Sequence, residues 1–399
     1  MNNKPLTIML VAVEPSADQI GASVLRELKK RAPKDTRFFG CGGPAMAAEG
    51  FESDFPIEPF SVMGFTDVAM AAPLAFKRAR ELAEKAAADY ADIAVLIDGW
   101  AFSRIAATRL RKLSPETTVI KLVAPQIWAS RPKRVNFVKK YFDGVLALFP
   151  FEPPLFENAG VKCAFIGNPN FQSAFNMRGD GEALRQRHDL GEAPVLAILL
   201  GSRKREVSRL AKPFREAIDL LAPRIMGLRI VTIVAPSVAA HVGSVMAGWP
   251  GSPVFVGPEE KYDAMAAANV ALVKSGTAST ELAINRTPMV VAYRVDPITA
   301  FWARRVKTTP FASILNVAAD RYVIPEFIQE EANGLNLAGA VNQLFEDASA
   351  YVEQAATFDV LLKELGVDGA PAEEIAAAKI LEWKDLGKKR VRDLRLLRG

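Results

Sequence analysis

Short apolar runs alternate along the chain with segments whose apolar residues recur every three or four positions. The runs TIMLVAV (7–13), IAVLID (93–98), TVIKLVA (118–124), GVLALFP (144–150) and CAFIGNPN (163–170) form a first series. VLAILLG (195–201), LRIVTIVA (228–235), PVFVG (253–257), NVALVKSG (269–276) and PMVVAYR (288–294) form a second. Nearly continuous Val, Ile and Leu is expected of parallel strands covered on both faces. The segments between them have helical period, as in the one that puts Ile20, Val24 and Leu28 on one face. Two successive series predict an α/β chain with two doubly wound, Rossmann-like domains, 1–170 and 171–335. The break is expected near Pro169 to Gly181, where polar residues and glycine collect. From about Asn336 no strand-like run occurs, so 336–399 is read as a helical tail packing back on the first domain.

In such sheets ligands sit beyond the carboxyl ends of the strands. The chemistry is therefore expected in VEPSAD (13–18), CGGP (41–44), DGWAFS (98–103), APQIW (124–128), GNPN (167–170), GSRKREV (201–207) and SGTASTE (275–281). Two domains facing each other would bring both sets into one cleft. SGTAST combines a glycine with four hydroxyls, and the spacing of Leu282, Ala283 and Ile284 starts a helix around Thr277. Small hydroxyl residues there either cap the helix or leave its N–H groups open to an anion. GSRKREV is a second strand–turn–helix junction, in which Gly201 permits close approach, Ser202 can cap and Arg203 can clamp a phosphate. Two such turns in one domain suit a diphosphate, and Glu281, one turn into the helix, is placed for ribose hydroxyls. Asp98 ends a buried run, where a carboxylate serves either as the cap of the next helix or as a general base. No GxxxxGK[ST] is present and no GxGxxG follows the first strand, which removes the P-loop and the dinucleotide fingerprint.

Composition narrows the classes. At 399 residues, half of them hydrophobic, the chain fits two buried cores. The N-terminus enters a strand-like run at once and is read as fold rather than signal peptide. Two cysteines give no disulfide framework, and His188 and His241 stand apart, so a zinc site and a Ser-His-Asp triad are not expected. A net charge of +5, from 50 Lys and Arg against 45 Asp and Glu, does not point to nucleic acid. The end, GKKRVRDLRLLRG, carries six cations and one acid, with Leu394, Leu396 and Leu397 interleaved. It is either a solvated terminus or a segment for an anionic membrane surface.

SVMG (61–64), PQIWASRPKRV (125–135), LFPFE (148–152), GSRKREV and SGTASTEL, in this order and spacing, resemble the lipid-A-disaccharide synthase family. The resemblance runs from about residue 7 to 335 and implies an inverting glycosyltransferase of GT-B type that needs no cofactor and no metal. It implies transfer from UDP-2,3-diacylglucosamine to 2,3-diacylglucosamine 1-phosphate (lipid X), with release of UDP. Gly201, Ser202, Arg203, Ser275, Gly276, Thr277 and Glu281 would hold the UDP part, and Asp98 would deprotonate the acceptor's 6-hydroxyl. Glu14, Ser16, Asp18, Ser61, Met63, Gln126, Trp128 and Asn168 would line the acceptor side. The departures fall mostly on that side. Ala17 replaces the usual glycine, Gly99-Trp100-Ala101-Phe102-Ser103 replaces a Pro-Asp-Phe-Asn-like run, Asn168 replaces histidine, and Ser130 stands where a second tryptophan is common. A related glycosyltransferase with another acceptor, a non-catalytic UDP-sugar or lipid binder, and a nucleotide-sugar 2-epimerase remain as alternatives. FSVMGFTDVAMAAPLAF (60–76), with Phe65, Met70 and Phe76 before Lys77, Arg78 and Arg80, is either a core helix or an interfacial lip. The expected setting is cytoplasmic, reversibly on the inner membrane, with the two lipid substrates and, as an option, a second copy of the chain as partners.

Overall fold

The apolar runs become two sheets, each of six parallel strands. The computed structural model describes residues 4–60 and 65–396, and for 65–71, 298 and 303 the backbone alone. The first sheet comprises β1 (Thr7–Ala12), β2 (Arg37–Cys41), β3 (Ile93–Ile97), β4 (Thr118–Leu122), β5 (Gly144–Ala147) and β6 (Cys163–Phe165). Its order is β2-β1-β3-β4-β5-β6. The second comprises β7 (Val195–Leu199), β8 (Arg229–Ile233), β9 (Val254–Val256), β10 (Val270–Lys274), β11 (Met289–Tyr293) and β12 (Glu326–Ile328), in the order β12-β11-β10-β7-β8-β9. In both sheets the order reverses beside the first strand, between β1 and β3 and between β7 and β10. Helices leave to opposite faces at such a point, and the crevice between them is where a doubly wound sheet binds its ligand.

The inner strands are buried on both faces, as their Val, Ile and Leu content requires. Met9, Val11, Leu96 and Val119 face one layer of helices, and Ile8, Leu10, Val95 and Ile120 the other. The strands that the apolar runs missed, β2 and β12, are both sheet edges. RFFGC and EFI carry polar residues because an edge strand is covered less completely.

The chain divides into two compact units, residues 1–169 with 370–399, and residues 170–369. The last strand, β12, is followed by the helices Gly334–Glu346 and Ala348–Glu364, which belong to the second unit. The helices Ala372–Glu382 and Leu386–Leu396 belong to the first. Helix Ala372–Glu382 packs against helix Pro15–Arg31. Trp383 is 2% exposed and lies so close over β5 that a Cβ on Gly144 would fall 2.5 Å from its ring. Thr118 in β4 donates its hydroxyl to the Lys384 carbonyl and accepts the Gly387 N–H. Pro169 to Gly181 is not a free linker beyond its start. It forms the helix Pro169–Asn176, and Cβ atoms on Gly179 and Gly181 would collide with the backbone of Tyr262 and Ala266.

Candidate active site

At the switch point of the first sheet, β1 ends in Glu14 and β3 ends in Asp98. Both carboxylates are half-buried. Asp98 has φ +44° and Gly99 φ +47°, two successive left-handed residues. Gly99, not Asp98, is the N-cap residue of helix Trp100–Leu113, and no side chain caps that helix. The position where the resembled family usually carries proline therefore has a φ that proline cannot adopt. A Cβ on Gly99 would fall 2.9 Å from the Val13 side chain and 3.5 Å from Glu14 Oε1, so the turn and Glu14 lie together. Burial raises the pKa of Glu14, Asp98 adds to this by like-charge repulsion, and Lys121 opposes it.

Lys121 is the basic residue of this site that its sequence position conceals. It is 1% exposed, in the middle of β4, with its ammonium turned under the switch point. Nζ donates to the carbonyls of Leu96 (3.2 Å), Asp98 (2.5 Å) and Leu122 (3.2 Å). Ser103 donates its hydroxyl to the same Asp98 carbonyl at 2.7 Å.

The other acceptor-side expectations separate. Asp18 is buried and accepts from the N–H groups of Gly43, Ala45 and Met46, so its carboxylate holds the turn after β2. Ser16 and Gln126 are exposed and Asn168 is buried. Trp128 donates its indole N–H to Glu152 Oε1 at 3.1 Å, and Glu152 Oε2 accepts from the Leu148 and Phe149 amides. Burial pushes Glu152 up to about 7, against those three hydrogen bonds. Trp128 also meets Phe149 and Phe151 edge-on, and those two rings stack on each other. Ser61 and Met63 lie outside the described residues. The helix Phe65–Ala88 carries Phe65, Met70 and Phe76, of which Phe76 is half exposed.

At the switch point of the second sheet, the turns after β7 and β10 meet. Gly201 has φ +111°, and Arg203 is the N-cap residue of helix Lys204–Leu221. Ser202 does not cap that helix. Its N–H donates instead to Glu206 Oε2, at 3.1 Å. Arg203 reaches Glu206 Oε1 at 3.1 Å, and Lys274 from the end of β10 reaches it at 3.3 Å. Burial alone would raise the pKa of Glu206, but Lys274 and Arg203 outweigh it and hold the carboxylate ionised. One carboxylate thus sits among a backbone N–H, a guanidinium and an ammonium, the donor set that a phosphate would use.

Helix Thr277–Ile284 starts where the hydroxyls are, and they do not cap it. Ser275 donates to the Ala312 carbonyl and Ser279 to the Gly276 carbonyl, with Gly276 at the N-cap and Thr277 exposed. Glu281 receives Lys261 Nζ at 2.8 Å and the Tyr262 hydroxyl at 3.4 Å. Burial lowers the pKa of Lys261, but its bond to Glu281 outweighs this and the net shift is upward. Glu206, Lys274 and Lys261 were not singled out by sequence. Glu206 lay inside GSRKREV and Lys274 at the end of NVALVKSG, but the ion pair that joins them spans two strand ends. Among the described residues no group of three or more His, Cys, Asp or Glu side chains could hold a metal.

Residues 8–380 match the lipid-A-disaccharide synthetase family. The chain is 36% identical over 380 residues to the lipid-A-disaccharide synthase of Rhodospirillum centenum, covering 95% of this chain and 94% of that one. It is 38% identical over 389 residues to that of Ruegeria pomeroyi, with 94% and 95% covered. Among solved structures, an Anabaena protein in complex with UDP and glucose covers 94% of this chain and 99% of its own, with a TM-score of 0.54 at 15% identity. The calicheamicin glycosyltransferase CalG4 covers 96% and 98%, with a TM-score of 0.54 at 16% identity. These likenesses carry the GT-B fold, and the family carries the activity class, that of a glycosyltransferase. With both switch points furnished as described and the match running through nearly the whole chain, this protein belongs to the lipid-A-disaccharide synthase family.

Proposed function

We propose that the chain joins UDP-2,3-diacylglucosamine to 2,3-diacylglucosamine 1-phosphate, releasing UDP. The second unit binds the donor: Ser202, Arg203 and Lys274 take the diphosphate in place of Glu206, with Gly201, Ser275, Gly276 and Thr277 lining the turns and Glu281 turning from Lys261 to the ribose. In the first unit Asp98 removes the proton from the acceptor hydroxyl as the glycosidic bond forms. Asp98 is the half-buried carboxylate at the end of β3, and the pKa of Glu14 beside it is raised by burial and then by Asp98. Two carboxylates whose environments differ in this way are the usual basis for separate proton roles. The observation that carries the reading is this furnished switch point in each sheet of a chain that is a family member from end to end. Incubation with both substrates, followed by chromatography for disaccharide and UDP, tests it. UDP without disaccharide, or neither, would overturn it.

The left-handed Gly99, at the family's proline, favours a second reading, transfer to a different acceptor. UDP release that depends on another lipid or sugar acceptor would select it.

Attachment to the inner membrane belongs to the same proposal. Among the described residues no helix is long and apolar enough to cross a membrane. The half-exposed Phe76, followed by Lys77, Arg78 and Arg80, suits an interfacial contact. The basic tail contributes less than its composition suggests, because Lys388, Arg390 and Arg395 pair with Asp92, Asp143 and Glu116. Phe76→Ser is expected to weaken co-sedimentation with anionic vesicles, and salt to weaken it further. Binding indifferent to both would remove the helix Phe65–Ala88 from the contact.

A further inference from the structure

A lysine in the middle of a parallel strand is expensive to bury unless its charge and all its donors are used. Alternation along β4 places Val119 and Lys121 on one face and Ile120 and Leu122 on the other. The lysine face is the apolar layer that contains Leu96, Phe102, Ala106 and Val145. Into that layer Lys121 sends an ammonium whose three donors meet three carbonyl oxygens, those of Leu96, Asp98 and Leu122. A neutral amine has only two donors, so the geometry is that of the charged form.

We propose that Lys121 is a positioning residue for Asp98, fixing the left-handed turn that presents its carboxylate and placing a positive charge beneath Asp98 and Glu14. The inference rests on Asp98 being the base. Two successive residues at positive φ, one of them an aspartate, are a strained arrangement that the surroundings must hold. Lys121 holds it through the Asp98 carbonyl, and Ser103 from the following helix reinforces the same oxygen. The charges that face the ammonium are Asp98 from the end of β3 and Glu14 from the end of β1, while the helix Trp100–Leu113 brings the uncharged Ser103 hydroxyl. Burial pushes Lys121 down to about 7 even though Asp98 and then Glu14 oppose the shift. The ammonium therefore acts on the site twice, through geometry and through charge.

The two actions have different signatures. Lys121→Met keeps the stem and removes the ammonium. Its kcat is expected to fall about 10²-fold, the cost of misplacing a catalytic group by about an ångström, with KM for the UDP-sugar unchanged. The acid limb of the kcat/KM profile is expected to move to higher pH, because Lys121 no longer opposes the burial that raises Glu14. Thermal unfolding of both units, followed by scanning calorimetry and circular dichroism on the same preparation, is the check that the variant is folded, since Lys121 and the UDP turns lie in different units. A lower kcat with the acid limb unmoved would make Lys121 merely structural and overturn the proposal, as would an unchanged kcat. Should the first unit of Lys121→Met fail to fold, Ser103→Ala takes its place, removing the other donor to the Asp98 carbonyl without touching charge. It is expected to lower kcat several-fold with the acid limb fixed, and full activity would overturn the proposal. Asp98→Asn turning over normally would instead remove the base assignment itself, which separates the two failures.

Discussion

The two switch points solve opposite problems with the same elements. In the first unit, a buried lysine is tied to three backbone carbonyls and the turn around Asp98 has little freedom. In the second, lysines pair with carboxylate side chains, Lys274 with Glu206 and Lys261 with Glu281. Backbone carbonyls cannot leave, whereas carboxylate side chains can turn away. A base has to be in place before the acceptor arrives, because misplacement costs rate directly. A diphosphate site must accept and release a charged product in every turnover, and paired carboxylates keep its donors satisfied while it is empty. On the proposed function, rigidity would follow the chemistry of each step, not the fold, which both units share.

The comparison breaks most visibly at Asp98. Asp98→Asn preserves shape and removes basicity, and kcat is expected to fall roughly 10²–10⁴-fold with UDP affinity unchanged. Steady-state assay and calorimetry on one preparation decide this, and near-normal turnover would send the search for a base to Glu14. Next in size is Glu152, the buried carboxylate that orients Trp128. Its pKa is raised from about 4.5 unfolded to about 7 folded. The sign follows: stability associated with this group is complete below pH about 4.5 and is lost as pH rises through about 7. The loss is roughly 3 kcal/mol at about 1.4 kcal/mol per unit. Urea midpoints across that window are expected to fall in the parent and to lose much of that slope in Glu152→Gln. An identical slope in both would place the pH dependence elsewhere.

The donor side should yield smaller effects. Arg203→Ala is expected to weaken UDP binding by about 1.5–3 kcal/mol, the range for a hydrogen bond to a charged group. Unchanged affinity by calorimetry would take Arg203 out of the site. Glu206→Gln sharpens the contrast from the other direction. Removing the negative charge that competes for Ser202, Arg203 and Lys274 is expected to tighten UDP by up to about 1 kcal/mol. Weaker binding would show that Glu206 organises the turn more than it competes for it.

Much of this was legible in the sequence because it is local. Five strands of each sheet announced themselves as apolar runs, and the chemistry lay just after them, where parallel sheets put it. Asp98 was visible as a carboxylate ending such a run. The edge strands β2 and β12 were not visible, since half-covered strands need no continuous apolar stretch. The partners were not visible either. Lys121 is a lysine inside TVIKL, an oddity on its face, but the carbonyls that explain it come from β3 and from the left-handed turn after it. Asp18, expected near the acceptor, accepts from three backbone N–H groups of the turn and short helix that follow β2, a contact that sequence spacing does not show. The hydroxyls of SGTAST looked like caps. Ser275 and Ser279 donate to carbonyls instead, and Gly276, with no side chain to offer, occupies the cap position.

Trp383 and the helices on either side of it have a consequence for how the chain is made. They complete the first unit, yet they leave the ribosome after the whole of the second. Domains ordinarily close in the order of synthesis. Here the earlier-made sheet must wait, with the face of β4 and β5 that Trp383 will cover still open to water, until the final thirty or so residues emerge. Truncation before residue 370 is therefore expected to destabilise the first unit while leaving the second intact, which limited proteolysis of the shortened chain would read.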